Sequence, residues 1–168
     1  YAANMGAAIA SNSWGYTLPN VRYLPVLDAI DYFNDVGGKN GAIADGGLVT
    51  FAAGNDGTDE KWYPGYYPGA IAVASTLNNG VAVGASNYGD WINITAPGYG
   101  IASTAIGGYI RMSGTSMACP FVSGVLALFI SHAPGRTRDE YLTCLYSTAT
   151  SIEDLNTAKY SGKLGGGL

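Results

Sequence analysis

Between residues 116 and 131 the chain carries Met117, Phe121, Val122, Val125, Leu126, Leu128, Phe129 and Ile130, which fall on nearly every side of a helix. A helix apolar all round belongs in the centre of a domain, covered by other elements. Pro is tolerated in the first turn of a helix and not beyond it, so Pro120 predicts that this helix begins close to Ser116. The rest of the chain must supply the surrounding layers. Residues 7–11 read as a short buried strand, and Pro25, Val26, Leu27, Ile30 and Phe33 have helical spacing that Gly37-Gly38 stops. Residues 48–53 and 70–76 are compact apolar runs of the kind found in parallel sheets. Asn79-Gly80 turns the chain, and shorter β pieces are expected over 92–96, 101–105 and 109–112. Thr137 with Glu140 forms a capping box for a last helix. There is no internal repeat, low-complexity tract or linker.

A length of 168 residues predicts no more than one domain, with enough chain to bury a sizeable core. With 48% apolar and only 12% charged residues, the chain cannot be a disordered polyelectrolyte. Lys plus Arg number 8 against 12 Asp plus Glu, so no basic surface for nucleic acid is expected. The richest apolar run, residues 125–130, is far short of the roughly 18 residues of a membrane span, so no membrane partner is expected. No basic start leads into a hydrophobic stretch, so no signal peptide is read here. Cys119 and Cys144 are too few for a disulfide scaffold or a zinc cage.

Two segments carry candidate chemistry. Gly114-Thr115-Ser116-Met117-Ala118 lies at a strand-to-helix junction, where a serine hydroxyl is displayed beside the positive end of the helix dipole. The main-chain N–H groups there can face a developing oxyanion. Ser is also a favoured N-cap, the plainer use of the position. Ala52-Ala53-Gly54-Asn55 ends a buried strand, and Asn55 is either a turn former or an amide donor aimed at a reacting carbonyl. The chain's single histidine is His132. On one helix with Ser116 it would stand about 24 Å away at 1.5 Å per residue, so it is no base for that serine.

Together the segments resemble one family. Residues 114–124, Gly-Thr-Ser-Met-Ala-Cys-Pro-Phe-Val-Ser-Gly, are similar to the nucleophile segment of subtilisin-like serine proteases, with Phe121 where that family usually has a non-catalytic His. Residues 49–57 resemble the oxyanion-asparagine segment and Ser13-Trp14-Gly15 the substrate-binding strand. Residues 63–68 resemble the loop beside the specificity pocket, 95–98 the Ala-Pro-Gly turn, and 160–168 the closing Tyr-Gly-x-Gly-Leu. The resemblance implies an α/β fold, three-layer α/β/α with a mostly parallel sheet, of which residues 1–168 are the C-terminal half. It implies a serine endopeptidase with Ser116 as nucleophile and Asn55 in the oxyanion hole. Ser13, Trp14 and Gly15 would pair with substrate backbone, and Ala52, Ala53 and Gly54 would form a pocket wall. The segments that hold the catalytic Asp and His in this family lie upstream of anything seen here, so the chain alone is expected to be inactive.

The expected partners are therefore a peptide or protein substrate and either that missing N-terminal portion or a second copy of the chain. A non-catalytic remnant that binds extended peptides by strand addition is the rival reading. No cofactor is required. A structural Ca²⁺, held by carbonyls of Gly65, Tyr67 and Ala70 with Asp90 or Asn93, is a further implication of the resemblance, as is location outside the cell; with so few carboxylates a monovalent ion or water fits that place equally well.

Overall fold

The computed structural model describes all 168 residues. Four parallel strands lie side by side in chain order: β1 (Ile9–Asn12), β2 (Leu48–Ala52), β3 (Ile71–Thr76) and β4 (Ile94–Pro97). Ile9 is opposite Leu48, Thr50 opposite Ile71, and Val73 opposite Ile94. β2 and β3 are buried at every position, as strands covered on both faces must be. Alternation along the strands sorts their side chains into two cores. Leu48, Ala52, Ile71, Val73, Ile94 and Ala96 face α2 (Thr115–His132) and α3 (Arg138–Thr148). Val49 and Phe51 face Leu27, Ile30 and Phe33 of α1 (Leu24–Val36). The result is the three-layer α/β/α arrangement expected from the sequence. A hairpin of β5 (Ile101–Ala105) and β6 (Gly108–Met112) stands apart from the sheet.

Most local signals act as read. Pro25 sits in the first turn of α1, and the Gly37 N–H closes that helix on the Phe33 carbonyl. Thr137 and Glu140 cap α3 reciprocally, both bonds of the box being present. β1 starts two residues late because Met5 and Ala7 N–H groups turn back onto Tyr1 and Ala2 carbonyls. β4 likewise waits for Ile94, since Ile92 N–H is held in a turn by the Gly89 carbonyl.

Two expectations about the central helix need correction. Pro120 is its sixth residue, beyond the first turn. The helix continues because the Ser116 carbonyl, left without an intrahelical donor, finds one outside the helix. Nor is α2 covered all round: Phe121, Val125 and Leu128 are 46%, 37% and 70% exposed. These three lie at i, i+4 and i+7, one stripe turned away from the sheet. Although α2 has the length and apolar character of a membrane-crossing helix, its opposite face is packed on β1 to β4.

The sheet's edges are unequal. β4 is flanked by the C-terminal segment, whose Gly167 carbonyl accepts Thr95 N–H at 2.8 Å and Thr95 Oγ1 at 2.6 Å. No strand pairs with the outer edge of β1.

Leu126 is fully buried in the larger core. Leu126→Ala should cost about 2–5 kcal/mol, through lost burial and the cavity left behind. Urea unfolding would show it as a lower midpoint with an unchanged slope.

Candidate active site

In an open parallel sheet the ligand cleft lies beyond the carboxyl ends of the strands. Three segments converge there: residues 13–15 after β1, Gly54 and Asn55 after β2, and the start of α2. Gly114 precedes the helix at φ 146°, where a Cβ would stand 3.3 Å from Asn55 Oδ1. Glycine is required at that position because an L side chain rarely adopts such a φ.

The first four N–H groups of a helix have no acceptor inside it. In α2 three of them are met locally. Gly114 N–H donates to the Gly98 carbonyl at 2.8 Å, Thr115 N–H to Asn55 Oδ1 at 2.9 Å, and Met117 N–H turns back to the Gly114 carbonyl at 3.0 Å. Ser116 N–H alone is left open. Thr115 Oγ1 also donates to Asn55 Oδ1, at 3.1 Å, while accepting Gly54 N–H at 3.1 Å. With its oxygen doubly engaged, the Asn55 amide is fixed in orientation, and its Nδ2 donates to nothing within the chain. The Ser116 hydroxyl donates to the Ser13 carbonyl at 3.2 Å.

Ser116 and Asn55 line one cleft of about 340 Å³ together with Trp14, Gly15, Ala52, Ala53 and Gly54. The predicted pocket wall, with Trp14 and Gly15 of the predicted binding strand, therefore bounds the same space as the predicted nucleophile, while Ser13 lies outside that lining and is bonded to Ser116. The main-chain groups of Trp14 and Gly15 make no hydrogen bond in the chain. Trp14 is held edge-on against Phe51 at 5.2 Å between ring centres, and its indole N–H reaches Asn12 Oδ1 at 3.2 Å.

Two residues that position the site were not singled out from sequence. Thr115 was legible only as part of its motif. Asn87 gave no signal; it is fully buried, donates to the Ala53 carbonyl at 3.0 Å and accepts Asp56 N–H at 2.9 Å. It thereby anchors the loop that carries Asn55.

Residues 1–167 match the subtilase (peptidase S8) family. The chain belongs to the subtilase family. Among its relatives, thermitase of Thermoactinomyces vulgaris is 37% identical over 98% of this chain and 54% of the relative. Alkaline elastase YaB of a Bacillus strain is 34% identical over 98% of the chain and 40% of the relative. The fold resembles that of the prenylagaramide maturation protease PagA, with a TM-score of 0.80 and 31% identity over 97% of this chain and 59% of that one. A cold-adapted subtilisin-like serine proteinase superposes with a TM-score of 0.74 and 29% identity, over 95% of this chain and 54% of that one. The chain thus spans about half the length of thermitase and of these two structures.

Other features of this subtilase chain lie apart from the cleft. His132 is the last residue of α2, at the far end from Ser116. It lines a cavity of about 580 Å³ between α2 and α3, which contains none of the segments that converge at Ser116. The residues considered for calcium fit such an ion poorly. Asn93 Oδ1 is spent on Ala72 N–H at 2.7 Å, the Tyr67 carbonyl accepts Ala70 N–H at 2.8 Å, and Asp90 is the one carboxylate among them.

Cys119 and Cys144 are both free. Burial pushes the Cys119 thiol up from its ordinary value, against the opposing effect of hydrogen bonds to Thr50, Asn12 and Ser11. Since the thiolate is the reactive form, Cys119 should resist alkylation in the folded protein although it lies three residues from Ser116. At pH 8, iodoacetamide should modify the half-buried Cys144 and spare Cys119 until denaturant is added. Peptide mapping before and after unfolding checks this.

Proposed function

We propose that the protein carrying this chain is a serine endopeptidase that forms an acyl-enzyme on Ser116. The observation that carries the reading is the pairing of two open donors with one hydroxyl. Ser116 N–H and Asn55 Nδ2 are both unspent at the cleft that Ser116 itself lines. In the reaction, Ser116 Oγ bonds to the peptide carbonyl carbon while its proton passes to a base. The carbonyl oxygen becomes an oxyanion received by the two donors. The amine then leaves with a proton, and water releases the acid from Ser116. Substrate backbone pairs with the open main-chain groups of Trp14 and Gly15 as an added strand. Ala52, Ala53 and Gly54 form a wall of the side-chain pocket. None of these steps calls on a metal or cofactor.

The base is not in residues 1–168, because the one histidine is at the wrong end of α2. We take residues 1–168 as one portion of a single subtilase catalytic domain, whose further portion supplies the base and an acid to orient it. That portion would cover the open edge of β1 and the stripe of Phe121, Val125 and Leu128, since unpaired strand edges and contiguous exposed apolar side chains favour association. A second copy of the chain is the alternative cover. Family resemblance favours a location outside the cell.

A second reading, a non-catalytic subtilase that binds extended peptides, draws on the same open main-chain groups of Trp14 and Gly15. Asn55 separates the two. In the full-length protein Asn55→Leu should lower kcat by about 10²–10³, roughly 2.7–4 kcal/mol, with KM little changed; that size was measured for the matching donor of a subtilisin and is carried over within the family. An asparagine that only shapes its turn would instead lower the melting temperature and leave kcat per titrated Ser116 unchanged. A protein that only binds would keep its peptide affinity and show no turnover in either form.

A further inference from the structure

Pro120 has no N–H, so the Ser116 carbonyl four residues back lacks a donor in its own helix. Ser13 supplies one: its hydroxyl donates to the Ser116 carbonyl at 2.7 Å. The contact is reciprocal, because Ser116 Oγ donates to the Ser13 carbonyl. The two serines are 103 positions apart in sequence, yet each has its side chain on the other's main chain.

Ser13 is itself held. Asn12 before it donates through Nδ2 to the Thr50 carbonyl of β2 at 3.2 Å. Trp14 after it is braced on Asn12 and Phe51. The donor thus sits on a part of the chain tied to the sheet, whereas the carbonyl it meets belongs to the residue that carries the nucleophile.

We propose that Ser13 is a positioning residue for Ser116, its hydroxyl standing in for the N–H that Pro120 lacks. The proposal rests on the reading of Ser116 as nucleophile and goes beyond the main-chain role given to residues 13–15. Fixing the Ser116 carbonyl fixes the peptide plane beyond it, and with it the direction of the Ser116 Cα–Cβ bond. Because the same residue begins the strand that receives substrate, the attacking oxygen and the bound backbone share one rigid body. Small misplacements of a nucleophile cost large factors in rate, so a single neutral hydrogen bond here should matter more to attack than to substrate binding.

The test is a double-mutant cycle in the full-length protein between Ser13→Ala and Pro120→Ala, read by fluorophosphonate labelling of Ser116 and by peptide hydrolysis. Ser13→Ala should slow labelling and lower kcat by about 10–100-fold while KM stays within about threefold. Pro120→Ala alone should leave both rates within about twofold. In the double variant the new N–H of residue 120 meets the Ser116 carbonyl, and labelling should return to within about threefold of Pro120→Ala. Ser13→Thr keeps the hydroxyl and should behave as the parent, which guards against a Ser13→Ala variant that fails to fold. A bond needed only for folding would reduce the fraction of protein that labels and leave the rate of the labelled fraction alone. Ser13→Ala labelling at the parent rate, or a double variant as slow as Ser13→Ala, overturns the proposal. A parent protein that does not label at all overturns the nucleophile reading and this one with it, an outcome distinct from both.

Discussion

A helix start leaves four main-chain N–H groups without acceptors, and the way this fold disposes of them decides what its cleft can do. The carbonyls of Gly98 and Gly114 and the Asn55 side chain take one each, and the fourth, on Ser116, remains open. Had a Ser116 side chain capped its own helix in the usual way, its hydroxyl would be spent on an N–H of the first turn. Here the cap acceptor is supplied by a different strand end, through Asn55 Oδ1. That one displacement keeps the Ser116 hydroxyl off its own helix end, where it donates to the Ser13 carbonyl instead, leaves its N–H open, and turns the remaining end of the Asn55 amide outward. The plain N-cap role for Ser116 is thereby excluded by the geometry.

The arrangement holds only if α2 and the strand ends keep their relative places, and the apolar core alone does not specify that register. Polar contacts at the interface do. Ser123 Oγ lies 2.8 Å from Thr50 Oγ1 and 2.9 Å from Ser11 Oγ, and the Cys119 thiol donates to Thr50 Oγ1 at 3.3 Å. These groups sit one turn of helix apart and meet both β1 and β2. Thr50 is fully buried, so its hydroxyl would carry a desolvation cost if the helix slid along the sheet. Hydrophobic burial holds α2 against the sheet, and this small hydroxyl and thiol network fixes how far along it α2 sits.

Much of this was legible from sequence. Apolar runs bounded by glycine gave β2 and β3 to within a residue, and the capping box at Thr137 and Glu140 formed as read. What failed was reasoning that stayed within one element. The helix begins at Thr115, next to the expected Ser116, but Pro120 falls beyond the first turn, because the rule for proline counts intrahelical donors only and the compensating hydroxyl belongs to Ser13, far away in sequence. The all-round apolar pattern of α2 implied complete cover, yet Phe121, Val125 and Leu128 are exposed, because periodicity reports what a helix could bury and not what lies beside it. Asn87 was invisible for a related reason. A buried asparagine that anchors a loop has no local pattern, since its partners at Ala53 and Asp56 come from another part of the chain.

The same geometry constrains where a base can approach Ser116, if the chain works as proposed. One side of the serine faces the substrate cleft, which must hold the peptide and its oxyanion. A second cavity of about 310 Å³ touches Ser116 from between β5 and α2, lined by Ile101, Met117, Pro120 and Phe121. Its walls carry no titratable side chain, so nothing already there can take the proton. It is continuous along α2 with the residues at which the exposed stripe begins, Phe121 being common to both. A segment that covered the stripe could place an imidazole at this cavity without entering the substrate cleft. Covering apolar surface and delivering the base would then be a single docking event.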